Sequence, residues 1–346
     1  MPRRLPARPD LDQLRRQAKD LLRAAQDGDA KAAARIGRYA EPLILSSAQL
    51  AVARAHGFAS WAALKTEVER RAVLDERDVD RLRALLAEQP EQAGAKLVGW
   101  RDGRGASPLA YLAMMRFETG QLSVPGDAHR TGAMARALLA AGAPVDGDPR
   151  DRETPLITAA SYGDAEVAAA LVEAGADLEA RSAPNAGGVP DATALLHAAV
   201  FGMTEIVDLL VAAGAVVDSL EMAAAAGDLA GWLAPDSDLQ ARLRALVFAA
   251  DHQRLPVIER LLDAGTPIDR ADAAFGRQAL QTAAHNGRSA SVALLLARGA
   301  DPNRRDPERR LTALQWCSAS RRYLDNPGHR EVELLLRPVT VLHEGV

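Results

Sequence analysis

Aromatic residues are scarce in this chain, 4% of 346 residues, and Cys317 is its single cysteine. One thiol excludes an intramolecular disulfide, and its apolar helical surroundings predict a buried structural side chain. No apolar run approaches the roughly 18 residues that would cross a bilayer. The basic start, with Arg3, Arg4 and Arg8, lacks the apolar region of a secretory signal. The expected compartment is therefore a reducing cytoplasm, with no membrane partner. Charge is nearly balanced, net −4, which gives no global pull toward nucleic acid. The seven histidines show no HExxH or Cys/His metal spacing, and no GxGxxG, Walker or GxSxG motif occurs. No catalytic residue, cofactor or metal is expected.

What the chain does have is a recurring unit. TPLITAASYGDAEVAAALVEAGADLEA runs over 154–180, TALLHAAVFGMTEIVDLLVAAGAVVD over 193–218 and QALQTAAHNGRSASVALLLARGADPN over 278–303. Thr154 is an N-cap residue type, and Pro155 suits the first helical position, where its missing N–H is not needed. Ala159-Ala160, Ala198-Ala199, Ala249-Ala250 and Ala283-Ala284 allow close helix approach. Leu138-Leu139, Leu209-Leu210, Leu261-Leu262 and Leu295-Leu296 fill the stack, and Gly175, Gly214, Gly265 and Gly299 end each second helix. Leu246, Leu280 and Leu314 recur about every 34 residues. In these residues and this period the chain resembles the ankyrin-repeat family. The fold it implies is all-α, an α-solenoid of stacked ankyrin helix–turn–helix repeats with an N-terminal helical cap.

The expected organisation is a flexible arm over 1–10, a helical module over 11–75, about seven repeats over 76–337, some of them degenerate, and a frayed tail over 338–346. In the module, helices are predicted at 11–26 and 46–56, the second with a Ser46/Gln49 capping box, and a third begins after Ser60. Phe58 and Trp61 form the core of this three-helix unit, with His56 at a helix C-terminus. The stretch AQLAVARAHGFASW resembles a small module found ahead of ankyrin repeats in some bacterial proteins. Segment 117–132 is expected to be a loop inserted between two helices, and 182–191 an extended hairpin. The repeat near 219–241 has scarcely a second helix, which suggests a local break in the array.

Repeated positions report on the fold, so function is sought where the chain departs from them. The resemblance implies partner contacts at the hairpin tips and at the ends of the first helices. These are Met114, Met115, Arg150, Asp151, Glu153, Ser161, Tyr162, Val200, Phe201, Asp251, His252, Arg277, His285 and Asn286. Met115, Tyr162 and Phe201 are large and apolar where the framework does not require it, as in a protein-binding patch. The leading expectation is a monomeric, non-catalytic scaffold that presents a concave surface to a protein or peptide partner. One alternative is a regulatory subunit or cryptic enzyme with a site in the module or the 117–132 loop. Another is nucleic-acid binding through Arg304, Arg305, Arg309, Arg310, Arg321 and Arg322. Interspersed Asp301, Asp306, Glu308 and Asp325 favour a solvated capping face there instead, with Trp316 in the core.

Overall fold

The computed structural model describes residues 3, 5–6, 8–97, 106–122, 130–274, 276–321 and 327–341. They form two compact units, Met1–Ala176 and Asp177–Val346.

In the first unit, α1 (Leu11–Gln26) is capped by Asp10, whose carboxylate accepts from the backbone of Asp12 and Gln13. The sequence reading missed α2 (Ala30–Gly37), which Asp29 caps in the same way. α3 (Leu45–Ala55) has no side-chain cap, contrary to the Ser46/Gln49 expectation; Ser47 Oγ instead donates to the Pro42 carbonyl at 2.7 Å. Ser60 caps α4 (Trp61–Glu76) as expected. The module therefore has four helices. Phe58, Leu64 and Val68 pack with Leu14, Ala18 and Val52, and Trp61 lies against them. Leu5 is buried in the same cluster, and Arg3 N donates to the Ala55 carbonyl at 2.7 Å. The described part of the expected flexible arm is thus docked on the module.

The module is joined to the first repeats by a charge cluster that is almost fully buried. Glu67, Arg70 and Arg71 are at most 4% exposed. Glu67 accepts from Arg70 at 2.5 Å and from Arg71 at 2.9 Å. Arg70 also donates to the Gln92, Ala95 and Lys96 carbonyls at 3.1, 2.7 and 3.2 Å. These bonds fix the chain after α5 (Val79–Glu88) and the 3-10 turn Pro90–Ala93. Two helix pairs follow: α6 (Pro108–Leu122) with α7 (Thr131–Ala140), then α8 (Pro155–Tyr162) with α9 (Ala165–Glu173). α6 stacks on α8 and α7 on α9. The insertion expected over 117–132 is helical at both ends, and 123–129 lie outside the described residues. Thr154 Oγ1 accepts from Ile157 N at 3.2 Å, with Pro155 next in the first helical turn.

In the second unit, α10 (Ala194–Val200) pairs with α11 (Thr204–Ala212) and α13 (Leu239–Asp251) with α14 (Leu255–Asp263). α15 (Ala279–His285) pairs with α16 (Ser289–Ala297), and α17 (Ala313–Ser320) with α18 (Gly328–Leu336). The short repeat contributes α12 (Leu220–Ala226) alone, as its sequence predicts. The stack is not broken there, because α12 packs directly on α13 and touches α10 and α11. One core then runs from Leu220 through Leu246, Leu280 and Leu314 to Leu336. The 182–191 segment is a loop closed at its base, where Ser182 N donates to the Ala192 carbonyl at 2.9 Å. Buried His197 lies against Ser182 Oγ at 3.5 Å. Thr312 and Gln315 form a reciprocal capping box on α17. Cys317 is buried, and burial pushes its thiol up to about 11. In the expected tail, Val341 N donates to Asn303 Oδ1 at 2.7 Å.

Candidate functional site

The expected contact residues fall into two groups in each unit. In the first, Met114 and Met115 are 9% and 2% exposed and so closed to a partner. They were placed near a helix end, but α6 is 15 residues long where α8 has eight, which puts both in mid-helix. Arg150 forms a bidentate pair with Asp148 at 3.0 and 2.8 Å. That pairing and the neighbouring Lys96 hold the Asp148 carboxyl well below its ordinary range. Asp151 is tied to the same Lys96. Burial raises the Glu153 carboxyl. Ser161 Oγ donates to the Ile157 carbonyl at 2.9 Å, and Tyr162 is half-buried. These residues order the loop before α8 and the end of that helix.

In the second unit, Asp251 and His252 are 1% and 2% exposed, which corrects their assignment to an open surface. They tie repeats together. His252 Nε2 donates to the Ala199 carbonyl at 2.9 Å while Nδ1 accepts from Thr204 Oγ1 at 3.0 Å. Asp251 accepts from Asn286 Nδ2 at 2.6 Å. Val200 is also buried, and its carbonyl accepts from Arg277 at 2.8 Å.

Phe201, Arg277, His285 and Asn286 converge with Val200 on one groove of about 420 Å³. α10 brings Val200 and Phe201 to its wall from the N-terminal side. α15 supplies Gln281, Thr282 and His285, and Arg277 stands just ahead of that helix. The far wall is Asp306, Glu308, Arg309 and Trp316, which the sequence reading placed on a solvated cap or in the core. Trp316 is half-buried; its ring meets His285 edge-on at 5.3 Å, and the Arg309 guanidinium lies over the Trp316 ring, 5.1 Å from its centroid. The available signal was the Asp306–Trp316 spacing, which lets one carboxylate cap a tight loop and reach the indole.

The His285 ring has a definite orientation. Ser320 Oγ donates to the Trp316 carbonyl at 2.9 Å and so accepts from His285 Nδ1. This leaves Nε2 as an acceptor without a partner among the described residues, in a residue that lines the groove. Burial holds His285 below its ordinary value, and although the Asp251 charge opposes this, the neutral ring is favoured. The groove therefore offers an aromatic wall, a neutral imidazole acceptor, two guanidinium groups and carboxylates at one edge.

The arginines of the last repeat do not form one open basic face. Arg309 packs on Trp316, Arg321 pairs with Glu333 at 2.7 Å and Arg305 donates to the Arg310 carbonyl at 2.7 Å. Arg322 lies outside the described residues. Among the described residues, no group of three or more His, Cys, Asp or Glu is placed to hold a metal, and no helix is long and apolar enough to cross a membrane.

Comparison with curated proteins finds no match. Among solved structures, the crystal structure of the human ASB11 ankyrin repeat domain is 22% identical over 66% of this chain and 98% of its own. Its TM-score of 0.31 is too low to carry an argument about this chain. A family model described as ankyrin repeats in three copies matches residues 128–221, 220–306 and 246–326, more than half of the sequence. With the paired helices, Thr caps and glycine turns where that pattern requires them, the chain belongs to the ankyrin-repeat family.

Proposed function

We propose that the chain is a non-catalytic scaffold that holds a protein or peptide partner in the groove of its second unit. The observation that carries this reading is the convergence of Phe201, Arg277, His285 and Asn286 on one groove with Trp316. Aromatic and arginine side chains set in a partly desolvated groove are the usual anchors of protein recognition. The groove suits an extended peptide that gives an N–H to His285 Nε2, an apolar side chain to Phe201 and Trp316, and an acidic group to Arg277. The test replaces the exposed rim residue Glu308 with a photo-crosslinking amino acid and captures partners from native extract. The expected result is a discrete crosslinked protein that disappears when Phe201→Ala is combined with Arg277→Gln, with helical circular dichroism unchanged. A crosslink that survives both substitutions would reject the groove as the contact surface.

A further inference from the structure

The N-terminal module contains a second concavity, of about 740 Å³, remote in sequence from every expected contact residue. Its charged lining is of one sign: Arg3, Lys31, Arg35, Arg38 and Arg54. All five are exposed, and none forms an ion pair among the described residues. α2 and α3, which carry three of them, contain no acidic residue. The nearby Asp29 carboxylate is occupied by the backbone N–H groups of Lys31 and Ala32 at 2.8 and 3.2 Å.

The concavity is built by definite contacts. Leu5 anchors the N-terminal segment in the module core. Arg3 is then pinned on the end of α3, its N–H to the Ala55 carbonyl and its carbonyl accepting from His56 Nδ1 at 3.1 Å. Burial holds His56 below its ordinary value, and the charges of Arg3 and Arg35 push it the same way. Lys31 and Arg35 lie one turn apart on α2, and Arg38, its C-cap residue, continues the spacing of that helix face. Ala34, Ala51 and Ala55 give a low floor, and Tyr39 stands at the edge with 39% of its surface exposed.

Cations gathered without counter-charges are poorly placed for stability, because each repels the others. The arrangement becomes favourable when an anion sits among them. Four of the five are arginines, whose planar forks bind phosphate oxygens in pairs. The volume lies in the range of small-molecule sites, and Tyr39 offers a ring face for stacking. We propose that this cleft binds a multiply charged phosphate ester carrying a ring, of the nucleoside polyphosphate class. A long nucleic-acid strand fits less well, because the basic charge is confined to one concavity on a chain of net charge −4. This inference is independent of the peptide groove in the second unit.

The test is calorimetric titration of the full chain with ATP and, separately, with inorganic tripolyphosphate, at low and at physiological salt. One-to-one binding that weakens with salt is expected for both probes. Arg35→Gln with Arg54→Gln should weaken both by about tenfold or more, while Tyr39→Ala should weaken ATP and leave tripolyphosphate unchanged. Because these side chains are exposed, the variants should melt no lower than the parent. Should a variant unfold, competition between ATP and tripolyphosphate on the parent chain keeps the question decidable, since one shared site requires mutual displacement. Absence of binding at low salt, binding unaffected by the substitutions, or a single-stranded oligonucleotide or an anionic phospholipid vesicle bound more tightly than ATP would each overturn the proposal.

Discussion

Trp316 donates its indole N–H to the carboxylate of Asp306 at 3.0 Å, and this bond fixes the far wall of the groove in the second unit. The same carboxylate accepts from the backbone N–H groups of Glu308, Arg309 and Leu311 at 3.0, 2.6 and 2.8 Å. Burial alone would raise the Asp306 carboxyl; these four bonds outweigh it and hold the group below its ordinary value. Asp306→Ala should therefore leave several donors unsatisfied and cost about 1–3 kcal/mol. The loop 306–311 should loosen, with a red-shifted Trp316 emission and a lower urea midpoint. Unchanged emission would show that the indole is held by its ring contacts alone.

The Glu67 carboxylate carries a similar load in the first unit. It is the acidic partner given to two buried guanidinium groups, Arg70 and Arg71. Glu67→Ala would leave both without that neutralising charge, at a cost of about 3–5 kcal/mol for breaking a buried pair. Arg70 also holds the carbonyls of Gln92, Ala95 and Lys96, so the damage should reach the first repeat. Hydrogen exchange should report it as lost protection in both α4 and residues 90–97. Lost protection confined to α4 would show that the cluster does not couple the module to the array.

These two clusters mark the limit of what the sequence disclosed. The Thr154 cap, the Pro155 start and the glycine turns are local devices, and each is visible within a few residues of chain. Glu67, Arg70 and Arg71 instead lie three and four apart, a spacing that by itself suits a solvated helix face as well as a buried one; packing against residues 90–97 helps to bury them. Met115 was misplaced because α6 runs on past its usual length. Asp251 and His252 occupy a helix end that is open in a single repeat and closed once α10 and α15 stack on it. Five of the expected contact residues do line one groove, because Val200, Phe201, Arg277, His285 and Asn286 stand at the ends of units whose register was clear. Trp316 was missed because a lone aromatic at helical spacing reads as core.

Buried imidazoles make the second unit sensitive to acid. Burial holds His197, His252 and His285 below their ordinary value of about 6.5. Between that value and the lower folded one, the unfolded chain binds more protons than the folded chain. Stability is therefore complete above about pH 6.5 and is lost as pH falls through the folded values. The melting temperature should be nearly flat from about pH 8 to pH 7 and should decline on further acidification. His252→Gln should give a shallower decline, because Gln cannot take up the proton. An equally steep decline in that variant would assign the acid sensitivity to other groups.

Two glycines separate backbone strain from crowding. Gly202 and Gly214 both have left-handed backbones, with φ of +71° and +95°. A Cβ on Gly214 would meet nothing within 4 Å, whereas one on Gly202 would lie 2.9 Å from both carboxylate oxygens of Asp251. Alanine at either position carries the left-handed cost of about 1–2 kcal/mol. At Gly202 it must also displace the carboxylate that accepts from Asn286, and with it the tie between α13 and α15. Gly202→Ala should therefore lower the urea midpoint more than Gly214→Ala, by the equivalent of about 1–3 kcal/mol. Adding Asp251→Ala removes the crowded group and should make the Gly202 substitution cost no more than the one at Gly214. If the two glycines remain unequal in that background, the difference lies in the backbone at Gly202 and not in its contact with Asp251.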